Sequence, residues 1–173
     1  LIIRSTVLPN TCKFKFIPLL EKYSRKKNGV HFNLFFNPEF LREGSALNDF
    51  KNPSVIVYGC DSHKGKNIIR NISKNIKGKT FFTDFQTAET IKYMNNVWHA
   101  YKITFANEFN LISKYFNVNN STLQKIFLSD KKLNISTKYL QPGLPFGGSC
   151  LPKDVSALNS FFVSKKIPLV MIN

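Results

Sequence analysis

The sequence predicts an α/β fold: the C-terminal part of a doubly wound parallel-sheet domain, followed by a mostly α-helical domain with one long helix. Over residues 1–84, short apolar runs alternate with helical patterns, which is typical of parallel strands joined by helical crossovers. From about residue 86 the pattern changes to one helix without Gly or Pro that reaches about residue 116, more than twice the average helix length. We therefore assign two domains, 1–84 and 85–173.

The elements of the first domain follow from its apolar runs and turn residues. A buried strand is predicted at residues 1–7, and the segment 9–11 leads into an amphipathic helix that reaches about Ser24. The other predicted strands are 32–36, 54–59 and 80–83, and helical patterns cover 40–49 and 62–75.

The second domain continues beyond the long helix. A further helix is predicted at 122–128, and the segment 133–148 is irregular because it contains Pro142, Pro145 and three glycines. A last helix is predicted from Cys150 to about residue 165, where Pro168 stops it.

Composition excludes several classes of function. The net charge of +15 could indicate nucleic-acid binding, but the lysines are spread along the whole chain, which favours a compositional bias over a binding stripe. No apolar run approaches the roughly 18 residues of a membrane span, and no signal-peptide pattern opens the chain. Three cysteines without regular spacing and three scattered histidines predict no metal site and a reducing, cytoplasmic compartment.

The segment 146–154, Phe-Gly-Gly-Ser-Cys-Leu-Pro-Lys-Asp, places a thiol at the predicted start of a helix. Two adjacent glycines allow a tight turn and close approach to a ligand, and Pro152 suits the first helical turn. The helix dipole and Lys153 should favour the thiolate of Cys150, which is the environment of a nucleophile. The alternative is a buried cysteine behind a glycine turn, and this is our interpretation of Cys12 and Cys60.

A polar stripe follows the long helix. At 100° per residue, its members fall within about 80° of one another. They are Lys92, Asn96, His99 and Asn107, with Glu89 on the same side. The stripe is either a solvated face or a row of ligand-facing groups, and spacing alone leaves both open.

Four ordered blocks resemble the nucleotide-sugar 6-dehydrogenase family, which contains UDP-glucose and GDP-mannose dehydrogenases, over essentially the whole chain. The blocks are Arg-Ser-Thr-Val-Leu-Pro at 4–9, Asn-Pro-Glu-Phe-Leu-Arg-Glu-Gly at 37–44, the helix segment 89–108, and the segment 142–154. The resemblance implies a Rossmann-like NAD-binding domain followed by a helical dimerisation domain. None of the eight glycines forms Gly-x-Gly-x-x-Gly, so we expect the chain to be an excerpt whose NAD fingerprint lies upstream and whose C-terminal domain is missing.

Such enzymes oxidise the C6 alcohol of a nucleotide-activated hexose twice, consuming two NAD. The resemblance makes Cys150 the nucleophile that forms a thiohemiacetal and then a thioester. Lys92 and Asn96 would stabilise negative charge on the C6 oxygen. The other matching positions are assigned by the resemblance as follows: Thr6, Glu39 and Asp154 to positioning or activating water, Thr6, Glu43 and Lys153 to the cofactor, and Glu43, His99, Asn107, Tyr139 and Gly147 to the substrate.

Local sequence favours GDP-mannose over UDP-glucose as the substrate. Val-Trp-His-Ala at 97–100 and Asp-Lys-Lys-Leu-Asn at 130–134 are more similar to GDP-mannose enzymes. Lys138 and Gln141 stand where GDP-mannose enzymes commonly have Tyr and Arg, so the contacts to the nucleotide or to the carboxylate could differ. Asn10 replaces a common glycine, which is tolerable because Asn adopts left-handed conformations readily.

The resemblance also implies a homodimer formed through the long helix, with no nucleic-acid or membrane partner. Two other functions remain open at this point. A truncated gene product could keep the fold and the dimer interface without the chemistry, and the excerpt alone is expected to be inactive. A basic module that binds RNA or DNA is supported by net charge alone.

Overall fold

The computed structural model describes residues 1–61, 65–131, 143–164 and 166. It contains two compact units, Leu1–Lys92 and Tyr93–Asn173. Predictions for Lys138, Tyr139, Gln141 and Pro142 lie outside the described residues.

The first unit is a mixed α/β structure. Its strands are β1 (Ile2–Ile3), β2 (Phe35–Phe36), β3 (Val55–Gly59) and β4 (Lys79–Thr83). A π-helical turn, Cys12–Phe16, continues directly into helix α1 (Ile17–Ser24), and helices α2 (Ala46–Lys51) and α3 (Lys66–Ser73) follow β2 and β3. The alternation of strand and helix is as predicted.

The sheet has the order β1-β2-β3-β4, and the expectation of a wholly parallel sheet is wrong at one pairing. β1 pairs with β2 and β3 with β4 in parallel, but β2 and β3 are antiparallel, joined at Phe36 and Gly59. A parallel pairing needs a crossover that carries the chain back along the sheet. The connection from β2 to β3 contains an irregular turn and a helix of six residues, and β3 runs back beside β2.

Both faces of the two central strands, β2 and β3, are buried. Successive strand residues point to opposite sides, so Phe36 and Val57 pack with Cys12, Leu34, Phe85 and Ala88 on one face. Phe35, Ile56 and Tyr58 pack with Cys60 and Ile69 on the other. Burial on both faces is what the doubly wound pattern predicts.

Gly59 ends β3 at the point where helix α4 (Phe85–Tyr115) passes close to it. A Cβ at this position would lie 2.6 Å from the Ala88 Cβ and 3.1 Å from the Phe85 Cα. The close approach of strand and helix therefore requires glycine here.

Helix α4 (Phe85–Tyr115) has 31 residues and matches the predicted long helix to within one residue at each end. Asn117, with φ of 55°, follows it in the left-handed conformation. The second unit continues with α5 (Asn120–Ser129), which the Asn119 side chain caps by accepting from the Thr122 N–H, and with α6 (Cys150–Ser164). Among the described residues, no helix has both the length and the apolar character needed to cross a membrane.

Candidate active site

Glu39 lies in the turn that follows β2, and it forms an ion pair with α4. Its Oε1 is 2.9 Å from the Lys92 Nζ, and its Oε2 accepts a hydrogen bond of 2.8 Å from the Leu41 N–H. Lys92 is buried, and its ammonium also lies 5.9 Å from the centre of the Phe40 ring. The turn therefore holds a desolvated cation between a carboxylate and an aromatic face.

The ionisation of Glu39 is set by opposing effects. Partial burial raises its pKa, but the hydrogen bonds from Lys92 and Leu41 and the charges of Lys92 and Arg4 outweigh burial. The pKa of Glu39 consequently lies below its ordinary value, and the group is a carboxylate at neutral pH. A carboxylate in this state can accept a proton or orient a water molecule.

Cys150 is the first residue of α6, as the sequence predicts, and the structure shows that it is exposed. Gly148, two residues earlier, has φ of 78°, a left-handed conformation that favours glycine. Pro152 is the third helical residue, where its missing N–H costs nothing. The Ser149 Oγ lies 3.6 Å from the Cys150 Sγ. The thiol is therefore accessible to a reactant at a helix N-terminus.

Asp154 lies one turn after Cys150 on α6, and it is 1% exposed. The Asn96 Nδ2 donates to its Oδ2, and the Lys153 Nζ lies 3.3 Å from its Oδ1. Asn96 is buried, whereas the Lys153 side chain is 60% exposed. The second unit thus contains a buried carboxylate fixed by an amide from α4 and accompanied by a surface cation.

The polar stripe of α4 is either a solvated face or a row of ligand-facing groups, and burial distinguishes the two for some of its members. Glu89, Lys92 and Asn96 are all buried, so a solvated face is wrong for these three. Glu89 is fully buried and accepts hydrogen bonds from the Asn10 and Cys12 N–H groups at 2.7 and 2.8 Å. Glu89 therefore caps the π-helical turn, a role that its helical spacing did not predict.

The remaining predicted site residues occupy different environments. Thr6 and His99 are half-buried, and Glu43 and Gly147 are exposed. Asn107 accepts a hydrogen bond of 2.7 Å from the Gly143 N–H, so its side-chain oxygen fixes the start of the glycine-containing segment. Tyr139 lies outside the described residues.

Cys12 and Cys60 are buried, as predicted for structural cysteines. Burial raises the pKa of the Cys12 thiol far above its ordinary value, and the Glu89 carboxylate beside it adds to the shift. Cys12 is therefore held as a neutral thiol.

Sequence reasoning also missed Arg42 and Asp49. The Arg42 Nε and Nη2 donate to the Asp49 carboxylate at 3.0 and 2.6 Å, which is a bidentate pair. The seven-residue separation of Arg42 and Asp49 gives no periodic signal, although opposite charges that flank a Gly-Ser turn could have indicated the pair.

The residues assigned to NAD have suitable chemistry for parts of that cofactor. Lys153 presents an exposed ammonium that suits a phosphate or a carboxamide oxygen, and Glu43 presents an exposed carboxylate that suits ribose hydroxyls. Thr6 adds a hydroxyl three residues after the end of β1. These donor and acceptor groups fit the cofactor in kind.

The fold and these side chains define a class, the nucleotide-sugar dehydrogenases. A solved UDP-glucose dehydrogenase from the archaeon Pyrobaculum islandicum is similar at 34% identity and a TM-score of 0.85, over 99% of this chain and 38% of that one. The GDP-mannose dehydrogenase of Pseudomonas aeruginosa is similar at 41% identity and a TM-score of 0.74, over 99% of this chain and 39% of that one.

The chain belongs to the UDP-glucose/GDP-mannose dehydrogenase family. Residues 1–77 match the family's NAD binding domain, and residues 86–173 match its central domain. The GDP-mannose 6-dehydrogenase of Azotobacter vinelandii is 46% identical over 159 residues, which are 91% of this chain and 36% of that protein. The chain thus spans little more than a third of the length of such relatives.

Proposed function

We propose that the protein carries out the NAD-dependent, four-electron oxidation of the C6 alcohol of a nucleotide-activated hexose to a uronate. GDP-mannose is the favoured substrate and GDP-mannuronate the product, because sequence identity is higher to the GDP-mannose enzymes named above than to the UDP-glucose enzyme. The observation that carries the proposal is the exposed thiol of Cys150 at the start of α6, one turn before the buried Asp154.

Cys150 acts as the covalent nucleophile. Its sulfur adds to the carbonyl carbon of the C6 aldehyde, and the carbonyl oxygen takes up a proton to complete a thiohemiacetal. Oxidation of that adduct leaves a thioester, and attack by water releases the acid and restores the thiol. When bound, NAD accepts the hydride in each of the two oxidations.

Lys92 and Asn96 act on the oxygen at C6. They lie four residues apart on one continuous helix, so both project from the same side of α4. A buried ammonium and a buried amide are already desolvated, so they stabilise developing negative charge more strongly than exposed groups would.

Glu39, Asp154 and Thr6 position or activate water in this proposal. Glu39 is suited to the role because its lowered pKa keeps it ionised. Asp154 is suited because Asn96 holds one of its oxygens in place.

The binding residues complete the assignment. Thr6, Glu43 and Lys153 contact the cofactor, and Glu43, His99, Asn107, Tyr139 and Gly147 contact the sugar nucleotide. The NAD-binding part is assigned to 1–84 and the helical part to 85–173, and the proposal places the protein in the reducing cytoplasm.

The experiment is a substrate panel with the intact protein. NADH release is followed with GDP-mannose, UDP-glucose and an N-acetylated nucleotide sugar, and the product is identified by mass spectrometry. Two NADH per uronate with GDP-mannose is the expected result. Faster turnover of UDP-glucose would favour UDP-glucose as the substrate. No turnover with any of the three would favour a truncated protein that has kept the fold without the chemistry.

A homodimer through α4 is part of the proposal. Four exposed side chains in the second unit, Met94, Trp98, Tyr101 and Phe109, recur at helical spacing and form one apolar stripe. The Trp98 and Tyr101 rings stack with centroids 5.9 Å apart. Such a stripe on a helix is typical of an interface with a second copy.

Sedimentation tests the dimer. We expect Trp98→Arg to shift the protein towards monomer, whereas Val163→Arg, an exposed apolar position on α6, should leave the dimer intact. Equal sedimentation of the two variants would contradict an interface on this stripe.

A further inference from the structure

Glu39 belongs to a turn, residues 37–45, that is anchored at its beginning by a buried amide. The Asn37 N–H donates to the Ile3 carbonyl at 2.8 Å, and the Asn37 side chain donates to the Val57 carbonyl at 2.8 Å. One residue thereby ties the start of the turn to two strands.

The end of the turn is anchored by Asp49 on α2. Its Oδ2 accepts hydrogen bonds from the Arg42 N–H, the Arg42 Nε and the Ser45 hydroxyl, at 3.1, 3.0 and 2.9 Å. Its Oδ1 accepts a hydrogen bond of 2.6 Å from the Arg42 Nη2. The Arg42 guanidinium holds the pKa of Asp49 well below its usual range, so the clamp is charged at neutral pH.

The Glu39 carboxylate lies between the two anchors, Asn37 and the Arg42–Asp49 pair. Leu41, which donates to the Glu39 carboxylate, is the residue directly before Arg42. Any loosening of Arg42 therefore moves the Leu41 N–H, and with it the Glu39 carboxylate that pairs with Lys92. The charged groups that act on Glu39 are Lys92 from α4 and Arg4 after β1.

We propose that Asp49 is a positioning residue, which acts through Arg42 to hold the Glu39 turn in the geometry that pairs Glu39 with Lys92. It does not touch the reacting atoms. The inference rests on the proposed function for its effect on turnover, but its effect on Glu39 is independent of any substrate.

The test compares two variants. Asp49→Asn keeps the size of the side chain and removes its negative charge, and Arg42→Lys keeps the positive charge and removes the bidentate hydrogen bonding of the guanidinium. The matched control is Glu21→Gln. The Glu21 carboxylate likewise accepts hydrogen bonds from an ammonium, that of Lys27 at 3.1 Å, and from a backbone N–H, that of Asn28 at 2.9 Å. It fixes a different turn. All variants are made in the intact protein.

The first readout is the titration of the Glu39 carboxyl carbon by NMR. Both test variants should move its midpoint upwards, towards the ordinary value for Glu, because the lowering hydrogen bonds loosen. Glu21→Gln should leave it in place. The second readout is the pH profile of kcat, whose acid limb should shift to higher pH in the test variants, with kcat falling about tenfold to a hundredfold.

An unchanged Glu39 titration in both Asp49→Asn and Arg42→Lys, with thermal stability lowered as in Glu21→Gln, overturns the inference. Should one variant fail to fold, the other decides. If the wild-type protein turns over no nucleotide sugar, the proposed function fails while the NMR titration still decides the role of Asp49.

Discussion

Two cysteines stand at the start of helical segments, and their surroundings differ. Cys12 opens the π-helical turn, is fully buried, and donates its N–H to the Glu89 carboxylate. Cys150 opens α6, is exposed, and lies three residues before a cation, Lys153. At Cys12 the N-terminal N–H groups are already paired with a fixed anion in a desolvated place, which raises the pKa of the thiol. The two helix starts therefore differ in access: the Cys12 thiol is held neutral and shielded from reactants, whereas the Cys150 thiol can be reached by them.

The largest effect on turnover is expected from replacing the sulfur of Cys150 by oxygen. Cys150→Ser should abolish uronate formation, a loss of about 10³-fold or more in turnover, because a hydroxyl is a far weaker nucleophile than a thiolate. Cys12→Ala should retain turnover and lose about 1 kcal/mol of unfolding free energy. Product analysis and denaturant unfolding measure the two outcomes, and normal uronate formation by the serine variant would refute the assignment of the nucleophile.

Thiol alkylation distinguishes the two cysteines without a substrate. In the folded protein, Cys150 should react with iodoacetamide roughly 100-fold faster than Cys12 or Cys60, because reagent reaches the buried thiols only after local opening. Peptide mass spectrometry gives the rate at each site. After unfolding in urea, the three cysteines should be alkylated at equal rates. Equal rates already in the native protein would contradict the difference in exposure.

Replacing the carboxylate at the buried helix start tests the other half of the comparison. Glu89→Gln puts an NH₂ group opposite one of two N–H donors, so we expect a loss of about 1–3 kcal/mol in unfolding free energy. Thr90→Ala is the control, since Thr90 is exposed and follows Glu89 on the same helix. A loss no larger than the control's would mean that the cap contributes little to stability.

The smallest effect is expected from the cation beside Cys150. Lys153→Met should slow alkylation of Cys150 by about twofold to fivefold, because an exposed charge is screened by water and salt. The difference should shrink at high salt. An effect that salt does not change would indicate that Lys153 acts through packing and not through its charge.

The long helix and the helix start at Cys150 could be predicted because each has a local cause. Apolar residues at helical spacing define α4, and Gly148 and Pro152 mark the beginning of α6. Helix α2 was predicted at 40–49 but begins at Ala46, because Arg42 and Ser45 bond to the Asp49 side chain in a turn instead of continuing a helix.

Long-range pairings gave no such pattern. Glu89 meets the Cys12 N–H across 77 residues, and a helical wheel assigns Glu89 to a side but not to a partner. The antiparallel step between β2 and β3 likewise depends on how the connecting chain is used, which apolar runs do not record. Sequence therefore predicted local elements such as α4 and the start of α6 better than the long-range contacts that hold elements together.

The contact between Gly59 and Ala88 constrains how relatives of this chain can diverge. With only 2.6 Å between an added Cβ and the Ala88 methyl, enlarging either residue forces strand and helix apart. The two positions should thus vary together: a methyl gained at one is tolerated only when the other becomes glycine. Adding Ala88→Gly to Gly59→Ala should restore only part of the stability that Gly59→Ala alone removes, because the Asp84 carbonyl oxygen and the Phe85 Cα would still lie 3.1 Å from the new methyl.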